Sequence, residues 1–331
     1  MVKIMPMTLA EMKVGMSDKV TQQVVDTFVR HSEILELLPF DNCVSPSGGS
    51  TLTYGYVQKK LPSATAFRAI NTEYASSQAT VEEKSVKLKV FGGAFEIDRV
   101  IKQAEGMYNN MAFQMEEKIL SAIGTFHNAM INGDASVNAD CFDGLDKFLV
   151  GQSTEFNTSG TIDLSTMALL KENADVFYEA LLKLINSTGA QAIMCNADMK
   201  TKIQTIARIL GYKTESEEAF GRTITTIGEG KVRIIDLKNV VTVKGEGDNA
   251  VSEETPVIGV DETGLTDIYA VKFGVLDGFH GVTLTGNNAV SQYQPDFNTP
   301  GAVKKGEVEM VACVALKNVK SAGVLRNVKI R

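Results

Sequence analysis

From Glu105 to Asn132 the residues Met107, Met111, Met115, Ile119, Ala122, Phe126, Ala129 and Met130 recur at steps of three, four and seven. That spacing puts one apolar stripe along a helix. At ~1.5 Å per residue the helix would run about 42 Å, long enough to cross a domain. Gly133 follows at the position where glycine commonly ends a helix. The stripe is not sustained as heptads, so it predicts a single structural spine, with Glu116 and Glu117 on its polar face.

The chain before the spine reads as parts that cannot stand alone. Val20, Val24, Val25 and Phe28 follow Ser17-Asp18 at helical spacing, with either polar residue placed to cap. Glu33 to Phe40 is apolar, ends at Pro39, and must dock elsewhere to cover its own face. After the flexible stretch Pro46 to Ser50, Thr51 to Val57 reads as a strand. A polar middle holds Lys59, Lys60 and Arg68 with few acids. Thr80 to Val90 then alternates, with Val86, Leu88 and Val90 on one face and Lys87 and Lys89 on the other. Together these predict a long projecting hairpin, Tyr54 to Val90. A two-stranded hairpin is marginal alone in water, so this one calls for a partner surface.

Beyond Gly92-Gly93, Ala94 to Asp98 reads as a short strand leading into the spine. Asp134 to Phe156 reads as loop, and Leu164 to Ile185 as helix. Ala192 to Cys195 is a buried strand, and Asn196 caps a helix through Ile209 that stops at Gly211. Strands are expected at Thr223–Ile227, Val232–Leu237, Val240–Val243, Pro256–Val260, Asp267–Phe273, Val282–Thr285, Val308–Leu316 and Val324–Ile330. The pattern is mixed α+β.

No set of residues announces catalysis. His31, His127 and His280 stand outside any metalloprotease or nucleophile signature, with His280 in a Gly-flanked turn. Cys43, Cys141, Cys195 and Cys313 are scattered and fit small buried residues. Gly228 to Lys231 lacks phosphate-loop spacing and reads as a hairpin turn. Asp134, Asn138, Asp140, Asp143 and Asp146 gather oxygens without the spacing of a calcium loop, so a polar loop is expected. The reading is a non-enzyme with no catalytic residue, cofactor or metal. A net charge of -7 argues against a chain that coats phosphates with Lys and Arg. Charge is uneven: Glu215 to Glu262 is acid-rich, while Met310 to Arg331 carries Lys317, Lys320, Arg326, Lys329 and Arg331 and no acid. Such patches suit a chain that docks onto copies of itself. Neither a signal peptide nor an apolar run of membrane-spanning length is found, so a cytoplasmic protein is expected.

The order of these parts resembles the Hong Kong 97-type fold of tailed-bacteriophage major capsid proteins, shared with encapsulin nanocompartments. The likeness rests on Leu35 to Phe40 closing the first helix, on the extended hairpin (the family's E-loop), and on Phe95 to Asp98 leading into the spine. It rests also on Phe142-Asp143-Gly144-Leu145 after the spine, and on Val314 to Leu316 and Ala322 to Leu325 as terminal strands. It implies an N-terminal arm at 1–45, an E-loop at 46–92, a peripheral domain at 93–160 with 289–331, and an axial domain at 161–288. It further implies self-assembly into hexamers and pentamers of an icosahedral virion shell, built in the bacterial host cytoplasm. The implied partners are further copies, a portal, and double-stranded DNA through weak non-specific contact, with no membrane. The first helix starts by about Asp18, so the long N-terminal segment some members carry is expected to be absent and a separate scaffolding protein present. Lys59, Lys60 and Arg68 on the hairpin, and Glu105, Glu116 and Glu117 on a neighbour's spine, are the expected inter-subunit contacts. An encapsulin shell, and an intracellular α+β enzyme, remain the alternatives.

Overall fold

The computed structural model describes residues 32–43, 52–61, 63–74, 76–104, 110–211, 215–219, 222–227, 232–244, 251–284 and 290–331. The expected helix at Val20–Phe28, the Gly228–Lys231 turn, His31, Glu105 and Met107 lie outside them.

The spine helix is Asn110–Asn132 within the described residues. Its stripe is the core face: Met115, Ile119, Ala122, Phe126 and Met130 are buried. Phe126 stacks on Phe91 with ring centroids 6.1 Å apart, and lies 6.3 Å from Phe40 and 6.1 Å from Phe142. These partners come from three other segments, so one side chain ties the helix to the strands on either side of it.

Gly133 ends the helix, but not through a left-handed φ. A Cβ there would meet the Phe142 carbonyl oxygen at 2.2 Å, and one on Gly144 would meet the Ile131 oxygen at 2.5 Å. The Gly144 amide donates to the Gly133 oxygen at 2.8 Å. Phe142 to Leu145 therefore folds back across the helix terminus, and both glycines are needed for backbone to approach backbone. What reads as loop from Asp134 to Phe156 also contains a short helix, Leu145–Leu149, and a strand, Glu155–Phe156.

Two sheets flank the spine. The five-stranded sheet runs Phe40–Asn42, Phe279–Thr283, Val303–Leu316, Val290–Tyr293, with Lys89–Asp98 also paired to Val303–Leu316. Residues 89–98 pair antiparallel with 312–303 throughout, which is why this strand is longer than Ala94–Asp98 alone. The strand phase resets at Leu88, whose amide donates to the Leu52 oxygen at 2.8 Å. Leu88 is consequently buried while Val90 points outward, against the alternation expected. His280 lies in the strand Phe279–Thr283, paired with Ala315, and not in a turn.

The eight-stranded sheet runs Glu155–Phe156, Ala322–Lys329, Leu265–Val271, Ala192–Cys195, Val232–Asp236, Arg222–Ile227, Glu215–Ala219, with Ile162–Asp163 added on Ala322–Lys329. Its middle separates two cores. Ala192, Met194, Ile235, Tyr269 and Val324 face the spine, while Ile193, Cys195, Ile234, Ile268 and Leu325 face the helices Met167–Glu172, Ala174–Thr188 and Ala197–Ile209. A strand covered on both faces reads as an unbroken apolar run, as Ala192 to Cys195 does. Ala322–Lys329 pairs with Leu265–Val271, so the end of the chain and the segment 161–288 share one sheet.

The helical stretch Leu164 to Ile185 is two helices meeting at Asn173, whose side chain donates to the Asp163 oxygen at 2.8 Å. Asn196 caps Ala197–Ile209 through its bond to the Met199 amide at 2.8 Å. Arg222–Ile227 and Val232–Asp236 pair antiparallel. The expected strand Pro256–Val260 is shifted. Val251–Pro256 pairs with Asn239–Lys244 as a separate ribbon, and the Val257 amide then turns back to the Lys238 oxygen at 3.0 Å.

Candidate interaction surfaces

The hairpin pairs Thr53–Leu61 with Thr80–Lys87, from Thr53 opposite Lys87 to Leu61 opposite Thr80, with a bulge between Lys59 and Leu61. Its root is fixed to the body. The Tyr54 hydroxyl donates to Asp41 Oδ2 at 2.6 Å, Gln58 donates to the Leu316 oxygen at 3.1 Å, and Tyr56 is buried. Tyr54 meets His280 edge-on at 5.8 Å, with Lys317 Nζ 5.4 Å from the centre of its ring. Burial, then the Asp41 carboxylate, pushes the Tyr54 hydroxyl well above its ordinary range, so it stays a donor.

The other end of the hairpin is uncovered. Arg68 donates to the Ala69 and Thr72 oxygens at 3.3 and 3.2 Å and lies 5.2 Å over the Tyr74 ring. Thr72 Oγ1 donates to the Ala69 oxygen at 2.8 Å, and Asn71 takes a left-handed φ of 67°. Arg68 thus turns its Nη1 onto its own tip while the side chain stays exposed. What the tip presents is apolar: Phe67, Ile70 and Tyr74 are exposed. The sequence reading took this stretch for its charges and missed these three, although they stand out in Ala66-Phe67-Arg68-Ala69-Ile70-Asn71-Thr72-Glu73-Tyr74.

The remaining contact candidates fall on two elements. The backbone places Lys59 and Lys60 at the outer end of the first hairpin strand, beside the bulge. Glu116 is half-buried and Glu117 exposed on the spine. Glu117 lines a cleft of about 720 Å³ between the spine and the Asn239–Pro256 ribbon, with Gln114, Lys118, Val241, Val243 and Glu254. Glu105 lies outside the described residues.

No protein-family model matches the chain, and no curated protein does. Solved structures do. The chain is similar to the SrpI encapsulin of Synechococcus elongatus, at 13% identity and a TM-score of 0.55, over 98% of this chain and 97% of that one. It is similar to a structure of Mycobacterium phage Bobi at 8% identity and 0.52, over 96% and 98%. It is also similar to the capsid of a native GTA particle at 10% and 0.50, over 98% and 95%. The fold is the Hong Kong 97-type capsid fold.

Within the Hong Kong 97-type fold, His127, Cys195, Cys313 and, after the spine, Asp134, Asp143 and Asp146 are packed or paired within the chain. His127 is 5% exposed on the spine and lies 2.7 Å from Ser32 Oγ and 3.2 Å from the Leu237 oxygen. Cys195 and Cys313 are buried, which pushes both thiols up to about 12. The oxygen cluster after the spine is parted. Lys147 bridges Asp134 and Asp143, while Asp146 turns to Arg326 and accepts from the Tyr269 hydroxyl at 2.9 Å.

The basic end of the chain is likewise spoken for. Lys317 lies 3.9 Å from Asp41, Lys329 3.7 Å from Asp163 and Arg331 2.6 Å from Asp198. Arg326, with its side chain 15% exposed, meets Glu155 at 2.9 Å, Asp267 at 2.7 Å and Asp146. Burial works against its charge, but the carboxylates of Asp267 and Asp146 outweigh that and hold it protonated. Four of the five bases from Lys317 to Arg331 thus meet carboxylates of this same chain, with Arg326 the most enclosed of them.

Proposed function

We propose that the chain is the major capsid protein of a tailed bacteriophage. It assembles into hexamers and pentamers of an icosahedral shell that encloses double-stranded DNA. The observation that carries the proposal is the hairpin, anchored at its root by Tyr54, Tyr56 and Gln58 yet holding Phe67, Ile70 and Tyr74 in water at its tip. A monomer gains nothing from an exposed apolar tip, whereas a second copy can cover it. The tip would lie over a neighbour's spine, with Lys59 and Lys60 near Glu105, Glu116 and Glu117. Contacts repeated around a closed ring accumulate even where each is weak. The working division is an arm at 1–45, the hairpin at 46–92, a peripheral part at 93–160 with 289–331, and an axial part at 161–288. The two parts are joined by the shared sheet. A scaffolding protein and a portal complete the assembly in the host cytoplasm, and the shell is not an enzyme. Contact with DNA is weak and non-specific, in keeping with the carboxylate partners of Arg326, Lys329 and Arg331.

The similarity to the SrpI encapsulin at a TM-score of 0.55 favours one second reading, a shell around a protein cargo. Electron microscopy of the purified chain, with and without Phe67→Asp and Ile70→Asp, tests both. Closed particles from the parent and free subunits from the double variant are expected. Parent protein that stays monomeric across salt and concentration would overturn the shell reading. Particles that recruit a co-expressed cargo enzyme and package no DNA beside phage proteins would favour the second.

A further inference from the structure

His127 joins three separate stretches of chain at one buried point. Its Nδ1 donates to the Leu237 oxygen at 3.2 Å, which leaves Nε2 to accept from the Ser32 hydroxyl at 2.7 Å. Ser32 in turn caps the helix Glu33–Leu37, its oxygen accepting from the Leu35 amide at 3.2 Å. One hydrogen-bonded path thus runs from Leu35 through Ser32 and the imidazole to Leu237. A proton on Nε2 reverses the Ser32 bond: the hydroxyl oxygen must then accept from the ring as well as from Leu35, its own hydrogen loses this acceptor in a buried position, and a charge is placed on a ring that is 5% exposed.

The elements packed round the ring carry Glu33 and Glu36 on the capped helix, and Asp236 and Lys238 at the end of Val232–Asp236 and just beyond it. The spine and ribbon add Glu117, Lys118 and Glu254. Glu36 lies 3.8 Å from Arg233. Burial first, and Lys238 after it, hold the ring neutral down to about pH 4, against the pull of the Leu237 oxygen.

We infer that His127 is an acid-sensitive latch: neutral, it clamps the helix Glu33–Leu37 onto the spine; protonated, it lets that helix go.

The sign follows from proton counting. Released into water, the ring takes its ordinary value of about 6.5. Between about 6.5 and about 4 the open form binds more protons than the closed form. The closed form is therefore fully favoured above about 6.5 and loses ground by roughly tenfold per pH unit down to about 4.

Amide hydrogen exchange on the full-length protein tests this, in a His31→Gln background so that the residue preceding Ser32 does not titrate. The reference is the Met199 amide, held by the Asn196 cap at 2.8 Å with no histidine in the arrangement. After correction for intrinsic exchange, protection at Leu35 should fall about tenfold per pH unit across that window while protection at Met199 stays level. His127→Gln, which cannot take up the proton, should flatten the Leu35 response. If Leu35 and Met199 follow one course in the parent, or the slope survives His127→Gln, the latch is wrong. Should the variant fail to fold, the parent comparison decides alone.

Discussion

Phe126→Ala is the sharpest probe of how the fold is held together. The side chain is 0% exposed, and its ring neighbours Phe40, Phe91 and Phe142 come from three other segments. Truncating a buried phenylalanine costs about 3–5 kcal/mol, least where the surroundings can collapse into the space. Collapse is resisted here. Phe40 is fixed by pairing with Gly281, Phe91 by pairing with Met310, and the Phe142 segment by the Gly133–Gly144 approach. The top of the range, about 5 kcal/mol, is therefore expected. Unfolding entropy near ~2.1 cal/mol/K per residue turns that into a fall of about 7 °C in the thermal midpoint of the unassembled subunit. Phe126→Leu keeps most of the volume and should cost less than about 1.5 kcal/mol. Calorimetry and urea titration of both variants provide the measurement. A Phe126→Ala midpoint within about 1 °C of the parent would show that the stripe does not bind the strands to the spine.

Other substitutions separate the stabilising contacts from the assembly contacts. Arg326→Ala leaves Glu155, Asp267 and Asp146 facing one another, and should cost about 3–5 kcal/mol in a urea titration; an unchanged midpoint would mean that water already screens the cluster. Lys304 is buried and donates to Thr299 O, Thr299 Oγ1 and Pro300 O at 2.6, 2.7 and 3.0 Å, so Lys304→Met should cost about 1–3 kcal/mol by removing those charge-assisted hydrogen bonds, read by thermal melting. Replacing Lys59, Lys60 and Arg68 together by Glu should leave the chain folded and weaken assembly most at low salt, where screening is least; light scattering that matches the parent at low ionic strength would show that these charges do not hold the hairpin on a neighbour.

What the sequence made legible, and what it hid, divides along physical lines. Periodicity exposed the spine because burial repeats every turn, and the stripe from Met115 to Met130 is the face that packs. Local chemistry exposed the Asn196 cap and the Ala192–Cys195 strand, since each needs only its immediate neighbours. Long-range pairing did not show. Lys317, Arg326, Lys329 and Arg331 look like an outward patch because their carboxylates, Asp41, Glu155, Asp163, Asp198 and Asp267, are scattered along the chain and meet them only in the fold. Gly133 was right as a helix end for a reason the sequence does not hold, namely the return of Phe142. At the candidate contact surface the charges stood out in the sequence and the apolar residues did not: Arg68 bonds to its own tip through Nη1 while staying exposed, with Phe67, Ile70 and Tyr74 exposed beside it. Exposed ion pairs are individually worth about 0–1 kcal/mol. Under the proposed assembly, burying Phe67 and Ile70 against a neighbour would contribute about 1.5–3 kcal/mol each, so the tip's apolar residues would outweigh Lys59 and Lys60 as the reason to dock.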